Sequence, residues 1–198
     1  MTKSNTIGLV ALLCASAAIA QDHGASPHAG KQAREIASLS DQDIAAIRAG
    51  TGWGMALPAE INGAPGPRHV LDLAEQLELT DSQITQVTAI FDEMKRSALT
   101  TGDKFIAAEK ALNDAFVRGG VEQAELENLV SEAGKQRAAL RLVHLATHLK
   151  TLPVLTDEQV ERYSALRGYT DQSNDPCASV PEGHDPVMWK KHNGCSGG

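Results

Sequence analysis

The segment TDSQITQVTAIFDEMKRSALTTGDKFIAAEKALNDAFVRGG, residues 80 to 120, decides the fold. Its first four residues have the capping-box pattern, in which the Thr80 hydroxyl accepts the amide three residues on and the Gln83 side chain reaches back. A seven-residue register follows without a break, with Ile84, Phe91, Ala98, Phe105 and Leu112 at one position and Val87, Met94, Thr101, Ala108 and Ala115 at the other. A heptad held this long predicts one helix of roughly 50 Å, at about 1.5 Å per residue, ending at Gly119-Gly120.

Beyond the two glycines a second helix opens near Glu122, with acids in its first turns, and closes on basic residues and histidine near Lys150, as the helix dipole favours. Its apolar stripe is Leu126, Leu129, Ala133, Leu140 and Val143, interrupted by Gln136. Two long amphipathic helices joined by so short a turn are antiparallel neighbours, a helical hairpin. Pro153 breaks the chain, and Thr156-Asp157-Glu158-Gln159 repeats the capping box before a short helix with Val160, Tyr163 and Leu166, stopped by Gly168. Residues 170–198, rich in Gly, Pro, Asn and Ser, read as a tail.

Upstream, Pro67 suits the first turn of a helix that continues through Val70, Leu73, Ala74 and Leu77. Residues 50 to 67 read as loop, because Gly50, Gly52, Gly54, Pro58, Gly63, Pro65, Gly66 and Pro67 interrupt any regular element; Trp53, Met55 and Leu57 are the residues expected to pin it to the helices. A short helix is expected from Asp41 to Ala49, capped by Ser40, with Ile44 and Ile47 on one face and Gly50 at its end. Residues 1–20 read as an export signal: Lys3, an apolar run from Ile7 to Leu13 too short to span a bilayer, and Ala18-Ile19-Ala20 before the cleavage point. The expected organisation is a signal peptide (1–20), a short helix and Gly/Pro-rich loop (21–66), a helical domain (67–169) and a tail (170–198). The fold class is all-α, and a hairpin that cannot bury both faces alone points to a homodimer.

Composition narrows the function. The 198 residues carry a formal charge of −7 and only 4% aromatic residues. Net acidity without a Lys/Arg-rich run excludes a nucleic-acid binder or a polybasic membrane-surface protein. The scarcity of aromatic and β-branched runs excludes a β-sandwich or barrel. Loss of the signal peptide removes Lys3 and no acid, leaving 17 basic against 25 acidic residues, a charge of −8, and no membrane span. It also leaves Cys177 and Cys195, an even pair in an oxidising compartment, expected to form a disulfide that closes the tail.

Each capping box is preceded by leucine, giving Leu79-Thr80-Asp81-Ser82-Gln83 and Leu155-Thr156-Asp157-Glu158-Gln159. Paired LTxxQ motifs at two helix starts of an exported helical protein resemble the Spy/CpxP family of periplasmic stress proteins, with relatives among ZraP and CnrX-type metal sensors. The resemblance covers about residues 67 to 169. It implies a cradle-like helical dimer in the periplasm that binds unfolded or envelope-stress proteins without ATP. Chaperone members present a surface both apolar and basic, from which a net −8 departs.

One constellation points to metal chemistry. His144 and His148 lie one turn apart on one helix face, a spacing able to chelate a transition metal such as Zn, Ni, Co or Cu. The antiparallel register sets His144 opposite Lys95 and His148 opposite Phe91, so Asp92, Glu93 or Met94, with His69 from the preceding helix, are the expected further ligands. This is the alternative reading, a heavy-metal-binding sensor or resistance protein, and CnrX-type sensors resemble it in their histidines and carboxylate on helices. Leu145 occupies the place of the catalytic glutamate of HExxH, and the chain has no nucleophile–base pair or phosphate loop, so an enzyme is not expected.

Overall fold

The computed structural model describes residues 26–169. The expected signal peptide with its cleavage after Ala20, the tail, and the Cys177–Cys195 disulfide lie outside the described residues. Within them the protein is all-α, with six helices and no strand: α1 (Asp41–Arg48), α2 (Leu57–Glu60), α3 (Pro67–Asp72), α4 (Asp81–Arg118), α5 (Gln123–Thr151) and α6 (Asp157–Leu166). None is long and apolar enough to cross a membrane. At about 1.5 Å per residue α4 extends about 57 Å, and α5 packs back along it.

The hairpin is built as the sequence predicts, but its N-terminal covering differs in three places. The Gly/Pro-rich loop contains one helical turn, α2, because Pro58 sits in the first turn, where its missing amide costs nothing. Trp53 and Met55 do pin the loop, whereas Leu57 is 55% exposed and pins nothing. The helix opened by Pro67 ends at Asp72, short of Leu77, and the chain turns on through Glu78, whose φ of +52° breaks the helical path.

Two hydrophobic clusters hold the layers together. In the first, Ile36, Leu39, Ile44, Ile47 and Met55 cover Ala98, Phe105 and Ile106 of α4 and Leu140 of α5. Gly102 makes this approach possible: a Cβ there would stand 2.7 Å from Ile47 Cγ2 and 3.2 Å from the Ile47 carbonyl oxygen. Gly102 and Ile106 fall outside the heptad that predicts α4, and Ile84, inside it, is exposed. The heptad marks the seam with α5, while α1 lies on a second face of the same helix. Ser38 Oγ donates to Glu109 at 2.6 Å and the Ala37 amide donates to Asn113 Oδ1 at 3.1 Å, anchoring the N-terminal segment.

The second cluster, Val70, Leu77, Val87 and Tyr163 with Leu79 and Leu155 against it, closes the open end of the hairpin. Here both capping boxes form: Thr80 Oγ1 accepts from the Gln83 amide and Thr156 Oγ1 from the Gln159 amide, each at 3.2 Å. The two glutamines also meet each other. Gln83 Nε2 donates to Gln159 Oε1 at 2.7 Å and to the Val154 carbonyl at 2.9 Å; Gln159 Nε2 donates to Gln83 Oε1 at 3.2 Å and to the Leu77 carbonyl at 3.1 Å. The repeated motif is therefore a reciprocal clasp that caps two helices and joins them. Leu166, expected on the inner face of α6, is instead largely exposed.

Candidate functional site

Between the two clusters the loop 49–57, the start of α3, one face each of α4 and α5, and Arg167 and Tyr169 after α6 line an open cavity of about 660 Å³. Its lining includes three buried ionisable side chains, Glu60, His144 and His148. Burying an ionised carboxylate costs several kcal/mol unless donors replace its water, on the order of what Glu60 avoids by its setting. The Tyr163 hydroxyl donates to Oε1, the Tyr169 hydroxyl lies 3.2 Å from the same oxygen, and the Gly66 amide donates to Oε2 at 3.3 Å. Arg167 Nε stands 3.4 Å away. Burial and the adjacent carboxylate push Tyr163 above the usual tyrosine range, which keeps its hydroxyl protonated as the donor.

The two histidines differ. His148 Nδ1 is 2.7 Å from the Ala64 carbonyl, which can only accept, so Nδ1 carries a proton and, whenever the ring is neutral, Nε2 is its accepting nitrogen. Its ring lies against Gly66, where a Cβ would approach Cε1 to 2.9 Å, so the backbone there must be bare. His144 is 4% exposed, lines the cavity and makes no hydrogen bond to another described residue. Burial first, and the neighbouring His148 second, lower its affinity for a proton, which favours the neutral ring.

The opposite wall is a strained loop. Trp53 has φ +42°, a left-handed conformation unusual for a large side chain, between Gly52 and Gly54. Three contacts hold it there: Nε1 donates to Asp43 Oδ1 at 2.9 Å, the ring packs at a tilt of 43° against Phe105 with centroids 5.9 Å apart, and Arg137 lies 5.8 Å over the indole.

The register prediction for the histidines agrees with the structure, since Phe91, Met94 and Lys95 line the same cavity as His144 and His148. The predicted ligand set does not assemble. Glu93 is about 100° from Met94 around α4; it faces a separate hollow and accepts from Lys150 Nζ at 3.0 Å. His69 lines the cavity but turns Nδ1 toward Asp72, 3.6 Å away, and Asp92 is exposed. Among the described residues no group of three or more His, Cys, Asp or Glu side chains is placed to hold a metal. The LTxxQ residues Leu79, Thr80, Gln83, Leu155, Thr156 and Gln159 serve the clasp and do not line the cavity.

Sequence reasoning passed over Glu60, Tyr163 as a hydroxyl donor, and Arg167. One signal was present: Glu60 is the only acid between Asp43 and Asp72, set in an otherwise apolar and Gly/Pro-rich stretch. No family model, curated protein or solved structure matches the chain, so the reading of the site rests on its geometry.

Proposed function

We propose that the protein is a non-enzymatic periplasmic protein of the Spy/CpxP type, a homodimer that binds unfolded or envelope-stress polypeptides without ATP on the outward face of α5. One observation carries this reading. The second half of α5 has large apolar side chains turned to solvent, Leu142 at 65% and Leu149 at 68% exposure, two heptad-related positions on one stripe with Ala138. A stripe of this kind facing water marks an interaction surface. The same stretch is locally basic: Lys135, Arg137, Arg141 and Lys150 occur with no acid between Glu132 and Asp157. The net acidity of the chain thus lies elsewhere, and Lys135 and Arg141 keep the surroundings of the stripe basic, while Arg137 is taken up by Trp53 and Lys150 by Glu93. Aggregation of an unfolded client, followed by light scattering without ATP, tests it. The protein should suppress aggregation, and Leu142→Ser with Leu149→Ser should abolish that effect at unchanged helix content. Failure to protect any client over a range of salt concentrations rejects the reading.

A metal-binding sensor on the same scaffold has one observation in its favour: two imidazoles line one cavity, and the Nδ1 bond to Ala64 makes Nε2 the nitrogen of His148 that a metal would use. It is the weaker reading, because Glu93 and His69 have other partners. Calorimetry with Zn, Ni, Co and Cu decides it. Binding by the pair should weaken as pH falls, since each imidazole must lose its proton to ligate, and either His→Ala variant should abolish it.

A further inference from the structure

The cavity has a charge that its own walls do not balance. Three cationic side chains line it, Arg68, Lys95 and Arg167, against one carboxylate, Glu60. Arg68 is committed to Asp72, with Nε 3.0 Å from both carboxylate oxygens. Arg167 stands beside Glu60, whose oxygens are already taken up by Tyr163, Tyr169 and the Gly66 amide. Lys95 alone has no carboxylate within ion-pair distance among the described residues, although the chain as a whole is acidic.

Apolar surface sits next to that ammonium. Phe91 and Met94 precede it on α4, and Trp53, its N–H taken by Asp43 and its ring half-buried against Phe105 with Arg137 over it, lines the cavity as well. His144, buried and without a described hydrogen-bond partner, adds one neutral polar group to the lining. A cleft of about 660 Å³, open to solvent on one side, with apolar walls and a few convergent polar groups, has the size and composition of a small-molecule site.

We propose that this cavity binds a small organic anion, a carboxylate carried on an aromatic or aliphatic body, with the anionic group at Lys95 and the body between Trp53, Phe91 and Met94. This site is separate from the outward face of α5 and stands whether or not that face binds polypeptides. A cationic or zwitterionic ligand is disfavoured, since the only acid in the cavity is saturated by its own donors.

Titration calorimetry of the full chain with 2-naphthoate tests this, with 2-naphthylmethylammonium as the counterpart of the same ring and opposite charge. Expected is saturable binding of one 2-naphthoate per chain and none of the ammonium compound. Lys95→Met should weaken the carboxylate at least tenfold and Lys95→Arg should restore it; Lys95 is exposed at the mouth, so neither variant disturbs the core. Tryptophan emission should change on binding, and Trp53→Phe should remove that change. Absence of saturable 2-naphthoate binding, equal binding of the two compounds, an undiminished affinity in Lys95→Met, or an emission change that survives Trp53→Phe overturns the proposal.

Discussion

Two polar networks that meet at α6, the glutamine clasp and the shell around Glu60, have opposite designs. The clasp joins two copies of one local motif, and each glutamine satisfies its own cap before it reaches its counterpart. The Glu60 network draws one atom or two from each of residues 60, 66, 148, 163, 167 and 169, none of which repeats another's pattern. The clasp is partly exposed, so solvent can take the place of one lost bond there; Glu60 is buried, so a lost partner is harder to replace. Local redundancy makes the first network tolerant, and convergence on one buried carboxylate makes the second brittle.

That difference predicts the largest effect at Glu60. Glu60→Leu leaves the Tyr163 hydroxyl and the Gly66 amide without their acceptor in a buried setting, and should cost about 3 to 5 kcal/mol, the range for removing one partner of a buried charged network. Glu60→Gln, which keeps an acceptor oxygen, should cost clearly less. Urea unfolding of both variants checks this, and equal losses would mean that the carboxylate charge, not its acceptor role, is what the network uses.

Next comes the crossing of α1 over α4. Gly102→Val places branched carbon where even a Cβ meets Ile47 at 2.7 Å and its carbonyl at 3.2 Å, so α1 must shift away. Overpacking of this kind costs about 1 to 3 kcal/mol. Thermal unfolding reads it, and Ile47→Ala in the same chain should return part of the loss by making room.

These two residues also show why part of the molecule was legible in the sequence and part was not. The hairpin, the caps of α1, α4 and α6 and the turn at Gly119 are each written within a few consecutive residues or one repeating period, so they can be read without knowing what packs on them. The register across the turn follows by counting, which is why His144 and Lys95 were placed on one side. Gly102 is different: inside a helix it has no local signature, and only the approach of Ile47, more than fifty residues earlier, explains it. Glu60 is of the same kind, for its partners come from four separate segments. Of the expected metal ligands on α4, Glu93 lies on the side of the helix turned toward Lys150, while Met94 and Lys95 line the cavity, a distinction that counting across the turn does not make.

The clasp should show a smaller effect. Thr80→Ala or Thr156→Ala removes one cap oxygen at the surface and should cost about 1 kcal/mol. Because Gln83 and Gln159 bond to each other, the double variant should depart from additivity. Strict additivity in denaturant titrations would mean that the two caps act independently of the glutamine pair.

The smallest effect is a dependence of stability on pH through His144. Burial lowers its folded-state pKa below the ordinary 6.5, and His148 on the same face lowers it further. The unfolded chain therefore takes up the proton first as pH falls, and the stability slope 2.303RT(νU − νN) is positive. Stability from this group is complete above the unfolded value, declines as pH drops through 6.5, and is fully lost once pH is below the folded value. Other ionisable groups, His69, His148, Glu60, Lys95 and Arg167, face the same cavity, so the comparison must be between the protein and His144→Gln, which keeps a polar side chain without an ionisable ring. Unfolding free energies measured from pH 7.5 to 5 should fall more steeply for the parent than for the variant. Parallel curves would show that His144 titrates as it does in water, and that its burial leaves the ring as well solvated as an exposed one.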